Sequence, residues 1–158
     1  MKKAFQYGFF ILIFAVLGFS HEFLFVNMNN QLYKLYYGNS KLPLPKSIRF
    51  IEAFDYTTLY YLKYPLTLAY FAAYFFTSYY AVKMICGDKK FSRWIIYIYA
   101  LLLILSCISM AYNYMVNNQL NGDEYTFSRW LMGIAQSPLV AFFVIASGAL
   151  YQKFKTDH

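Results

Sequence analysis

The chain has 158 residues, 60% of them hydrophobic, 23% aromatic and 13% charged, and its formal net charge is +7. Soluble globular domains carry about 25% charged residues, so a water-soluble core of this size could not hide so much apolar surface. The basic excess is spread along the chain instead of forming one patch, which disfavours nucleic acid as a partner.

Four long apolar stretches indicate the fold class. A helix crosses a hydrocarbon core of about 30 Å with about 20 apolar residues, and residues 4–26, 56–82, 94–116 and 127–151 each reach that length. They predict an all-α, integral membrane four-helix bundle, a single transmembrane domain over 1–158. An amphipathic outer loop, 27–55, joins helices 1 and 2. Orientation follows the Lys and Arg of short cytoplasmic loops. With the N-terminus in the cytoplasm, the inner segments carry Lys2, Lys3, Lys83, Lys89, Lys90, Arg93, Lys153 and Lys155 against Asp88 and Asp157. The outer segments carry Lys34, Lys41, Lys46, Arg49, Lys63 and Arg129 against Glu22, Glu52, Asp55, Asp123 and Glu124. Both termini are therefore expected to be cytoplasmic. The richness in Lys, Tyr, Phe and Asn fits an AT-rich bacterial genome and hence a multi-pass protein of the inner membrane.

The opening MKKAFQYGFFILIFAVLGFS also has the form of a signal peptide, with a basic start and the small residues Gly18 and Ser20 after an apolar run. We expect it to be retained as span one. Polar Ser20, His21 and Glu22 interrupt that span near its outer end. In the outer loop, Leu32, Tyr33, Leu35, Tyr36 and Tyr37 read as a short stretch lying in the membrane interface. Gly38, Asn39 and Ser40 break it, and Pro43 and Pro45 impose extended backbone. Ile48, Phe50, Ile51 and Phe54 then lead towards span two.

Span two carries eight tyrosines. Those near its ends fit an aromatic belt, whereas the deeper Tyr70 and Tyr74 need partners for hydroxyls that lipid cannot satisfy. Ala69, Ala73 and Thr77 recur every four residues and form a small-residue face that admits a close neighbouring helix. Span four repeats the device with Gly133, Ser137 and Ala141. The basic turn Gly87 to Trp94 is short and makes spans two and three antiparallel neighbours. Span three is aliphatic, with Ser106, Cys107 and Ser109 able to bond back to their own helix. After the polar outer hairpin 117–126, Pro138 should kink span four and free a carbonyl one turn earlier. It is the one proline kink expected.

The candidate chemistry is a set of charges near the outer leaflet, Glu22, Lys63 and Arg129. Ionisable groups in a span are costly and usually paired. In one reading Lys63 and Arg129 snorkel to headgroups while Glu22 stays at the interface. In the other Glu22 is an internal counter-ion pinning three helices. A carboxylate beside two cations is held as a spectator anion, which argues against a catalytic role. A single His21 in the membrane region cannot supply paired axial haem ligation. The two cysteines lie at different depths and match no zinc pattern. No catalytic triad, phosphate loop or HExxH motif is present, and neither catalytic residues nor a cofactor are expected.

The order of one span, an outer aromatic loop and three closely connected spans resembles the small exosortase F-associated membrane proteins of flavobacteria. The likeness rests on Phe23 to Tyr37 after span one and on the basic turn Asp88 to Lys90. It also rests on Arg129, Gln136, Pro138 and Leu139, and on Ala149 to Gln152 at the end of span four. Span two departs from the family pattern in lacking Arg and Asn. The resemblance implies an accessory role beside a membrane protein-sorting enzyme.

Three functions follow as expectations. The foremost is a non-catalytic accessory or assembly subunit of a larger inner-membrane complex, respiratory, secretory or sorting, with membrane lipids and other integral subunits as partners. A stand-alone binder of a lipid, quinone or toxin, of immunity type, is the alternative. A membrane enzyme would have to draw on Glu22, Tyr70 or Tyr74.

Overall fold

The computed structural model describes residues 2–38, 43–117 and 126–156. Among them the fold is all-helical, with six helical elements and no sheet. Four long helices and one short one, α1 (Lys2–Tyr37), α2 (Tyr56–Cys86), α3 (Lys89–Asn117), α4 (Thr126–Ala135) and α5 (Leu139–Thr156), follow one another, with a 3-10 segment, Lys46–Ala53, between α1 and α2.

α1 does not stop at the outer loop expected from residue 27. It runs unbroken to Tyr37, 36 residues in all, or about 54 Å at 1.5 Å per residue. Asn27, Asn29 and Asn30 are weak helix formers but carry no backbone obstacle. Asn27 Nδ2 instead donates to the Phe23 carbonyl one turn back at 2.7 Å. The first true terminator is Gly38, whose φ of 75° is left-handed and whose N–H reaches the Lys34 carbonyl at 2.9 Å. Gly87 ends α2 in the same way, with φ 70° and its N–H on the Lys83 carbonyl at 3.2 Å. Asp88 then caps α3 by accepting from the Lys90 N–H at 2.8 Å. Two residues therefore suffice to reverse the chain. The expected hairpin 117–126 falls largely outside the described residues.

The kink at Pro138 separates two helices bent by 57°. The carbonyl that the proline cannot satisfy belongs to Ile134. It accepts from Ser137 Oγ at 2.7 Å and from the Ser137 N–H at 3.2 Å. A second proline, Pro65, lies inside α2. α2 continues through it, whereas the chain breaks at Pro138 with Ser137 as local hydrogen-bonding partner.

Two helices, α1 and α3, are long and apolar enough to cross a membrane, and the bent pair α4 and α5 makes a third if counted as one span. α2 has the length, 31 residues, but is not among them. Its tyrosines, Lys63 and Pro65 lower its hydropathy.

The chain divides into two compact units, Met1–Ala15 with Phe71–His158, and Val16–Tyr70. In the first, α3 packs on α4 and α5, which also touch each other. Phe14 of α1 stacks on Tyr74 of α2 at 6.1 Å and meets Phe142 of α5 edge-on at 5.9 Å. Tyr99 of α3 is wedged between Phe71 and Phe75 of α2 at 5.5 and 5.4 Å. Such offset and edge-on pairs are the favoured aromatic geometries. The second unit has its own core of Met28, Leu32, Ile48, Ile51 and Leu59. Ile48 and Ile51 belong to the 3-10 segment, which is thereby packed against α1 and α2 by its apolar side.

Candidate functional site

The three charges singled out from sequence are divided between the units, Glu22 and Lys63 in the second and Arg129 in the first. Glu22 and Arg129 are exposed. Lys63 donates to Asn29 Oδ1 at 2.7 Å, tying α2 to α1. Asn29 was not anticipated as a partner, although the polar run 27–31 on an otherwise apolar helix is its sequence signal.

The deep tyrosines take different surroundings. Tyr70 donates to Ser20 Oγ at 3.3 Å, and Ser20 in turn donates to the Leu17 carbonyl at 3.0 Å. His21 lies edge-on to the Tyr70 ring at 4.9 Å and 4.5 Å from Phe25. Tyr74 is 1% exposed in the core of the first unit. Of the small-residue positions, Ala141 is fully buried, Ala73, Thr77 and Ser137 are half-buried, and Ala69 and Gly133 are exposed. A Cβ at Gly133 would meet nothing within 4 Å. A close glycine approach is at Gly148, where a Cβ would come to 3.0 Å from Cys86 Sγ.

Two buried hydroxyl pairs escaped the sequence reading. Ser78 and Tyr99 lie 3.0 Å apart between α2 and α3. Ser106 pairs with Ser128 at 2.7 Å between α3 and α4. Ser106 thus reaches across to another helix as well as having the option of bonding within its own. Isolated hydroxyls in apolar runs carry the signal that partners exist, but not which ones.

Each unit contains a concavity. In the first unit an apolar groove of about 170 Å³ is lined by Phe10, Phe14, Ala81, Ile85 and Phe142 among others. In the second unit a polar pocket of about 180 Å³ is lined by Asn30, Gln31, Lys34, Arg49 and Glu52, with Pro43 and Leu44. It forms where the last turns of α1 meet the 3-10 segment. Lys34 Nζ and Glu52 Oε1 are 3.9 Å apart, with both side chains nearly half exposed. That is too long for a hydrogen bond. Gln31 is 3% exposed, and its Oε1 is enclosed without a hydrogen-bond partner. Close by, Asp55 precedes α2 and accepts from the Thr58 N–H at 3.3 Å. Hydrogen bonds from the Thr58 side chain and backbone hold the Asp55 carboxyl below the ordinary carboxylate range.

Among the described residues no group of three or more His, Cys, Asp or Glu side chains is placed to hold a metal ion. Comparison with known proteins yields no matching family model, no matching curated protein and no matching solved structure.

Proposed function

We propose that this protein is a non-catalytic, four-span integral membrane subunit that assembles with other membrane proteins, with both termini in the cytoplasm. The observation that carries the reading is the uncovered apolar surface of the long helices. Only 11% of the apolar window of α1 and 17% of that of α3 is buried within the molecule. In water, bare apolar area of this extent would be a severe aggregation liability, whereas lipid or a neighbouring span covers it without cost. α2 serves as a span in this reading, because aromatic partners inside the molecule cover Tyr74 and belt positions suit the tyrosines near its ends. Exposed Ala69 and Gly133 leave room for another helix to approach closely. The resemblance to exosortase F-associated proteins makes a membrane protein-sorting enzyme one candidate partner.

The test is purification of tagged protein at native expression in mild detergent or nanodiscs, followed by mass spectrometry of what remains bound after size exclusion. Stoichiometric membrane subunits are the expected result. A lone protein that retains only lipid or quinone would overturn the subunit reading in favour of a stand-alone binder. The apolar groove of the first unit supports that second reading, since it would accept an acyl or isoprenoid chain.

A further inference from the structure

The polar pocket of the second unit combines four features. It has two cations, Lys34 and Arg49, and one carboxylate, Glu52. Arg49 forms no ion pair among the described residues, and Lys34 and Glu52 are only loosely paired at 3.9 Å, so all three keep capacity for a ligand. The wall contains a buried carboxamide, Gln31, whose Oε1 lacks a donor. The volume, about 180 Å³, falls below the roughly 300–1,000 Å³ of sites for drug-sized ligands.

The complement of such a wall is a small zwitterion, an anion with a nearby protonated amine. We infer that the pocket binds a phosphoethanolamine group, with the phosphate held by Arg49 and Lys34 and the ammonium donating to Glu52. Arg suits the phosphate because its guanidinium can present two parallel N–H donors. The ammonium is distinguished from a quaternary choline by its N–H donors, which can form charge-assisted hydrogen bonds to Glu52. On the membrane reading given above, on which this source of ligand rests, the pocket sits at the outer end of α1 and takes the headgroup of phosphatidylethanolamine. A soluble phosphoethanolamine ester offers the same chemistry.

The full-length protein is placed in nanodiscs of equal parts phosphatidylethanolamine and phosphatidylcholine, and the lipids it retains are counted by native mass spectrometry. In parallel, O-phosphoethanolamine, phosphocholine and inorganic phosphate are titrated against the protein in detergent by calorimetry. Enrichment of the ethanolamine lipid by about tenfold over the choline lipid is expected, as one well-made charge-assisted hydrogen bond contributes about that factor. Glu52→Gln, at an exposed position, should abolish most of this preference, whereas Arg49→Gln should weaken retention of both lipids alike and Arg49→Lys should restore part of it. Tighter binding of soluble O-phosphoethanolamine without lipid enrichment would support the same site with a soluble ligand. Equal retention of both lipids, together with O-phosphoethanolamine binding no tighter than phosphate or phosphocholine, would overturn the inference. So would a preference unchanged in Glu52→Gln. Whether the protein stays in the membrane fraction after alkaline carbonate washing tests the membrane reading separately.

Discussion

The hydroxyl pair Ser78 and Tyr99 shows how single residues hold this molecule together. Both are almost fully buried, Ser78 at 0% and Tyr99 at 1%. In an apolar interior each hydroxyl satisfies the other, and removing one strands its partner. Hydrogen bonds between membrane helices are worth about 0.6 kcal/mol on average, with a maximum near 1.7. A double-mutant cycle of Ser78→Ala and Tyr99→Phe, read by unfolding in mixed micelles, should return a coupling in that range. Gly148 is a steric counterpart. Gly148→Ala places a methyl 3.0 Å from Cys86 Sγ and should lower the melting temperature, whereas the same change in a Cys86→Ala background should be close to neutral. Equal losses in both backgrounds would mean that the contact is not the cause. Asp55 adds a pH-dependent contribution. Its folded-state pKa is depressed by hydrogen bonds from Thr58, so the stabilisation is fully present above the unfolded value of about 3.9 and is lost as pH falls through the folded value. Asp55→Ala should therefore lower stability at neutral pH and flatten its decline between neutral and acidic pH, as followed by circular dichroism melts. These contacts were only partly legible beforehand. Tyr70 and Tyr74 stand out as hydroxyls in a span, but Tyr99 sits in an ordinary aliphatic-aromatic run, and its burial comes from Phe71 and Phe75 on another helix.

At the scale of elements, local chemistry explains most of where helices stop. Gly38 and Gly87 terminate α1 and α2 because glycine enters the left-handed region without a Cβ penalty. Pro138 ends α4 because it has no N–H for the Ile134 carbonyl, and Ser137 supplies both a hydroxyl and an N–H in its place. Pro138→Ala should restore helical continuity and reduce the 57° bend between α4 and α5. Spin-label distances between a site on each helix should lengthen accordingly, and unchanged distances would assign the bend to packing instead. Composition alone did not show that the helix of span one continues beyond Val26. Asn27, Asn29 and Asn30 look like loop, yet Met28 and Leu32 between and beyond them are buried against Ile48, Ile51 and Leu59. Tertiary packing overrides weak local preference in this way, and it carries α1 eleven residues past the expected boundary at Val26.

At the scale of the whole molecule, the question that governs topology is whether α2 crosses the membrane. If α1, α2, α3 and the α4 and α5 pair all span, Asp88 faces the cytoplasm. If α2 lies outside the bilayer, the same turn stays on the outer side. Asp88→Cys in a background with Cys86 and Cys107 replaced should be protected from a membrane-impermeant maleimide in intact cells and labelled after lysis. Labelling in intact cells would remove α2 from the spans and reverse the assignment of the α3 ends.

What the sequence determined by itself is the all-helical class and the points of helix arrest. Both depend on local quantities: apolar run length, side-chain hydropathy, and the backbone freedom of glycine and proline. The tertiary structure decided what those local rules could not reach. Lys63 meets Asn29 across 34 positions of sequence. Lys34, Arg49 and Glu52 converge with the unpartnered Gln31 around one polar pocket. Glu22 and Arg129 instead fall in different compact units. Charge and polarity identify which residues need a partner, but which partner each one meets depends on how helices far apart in the chain pack together.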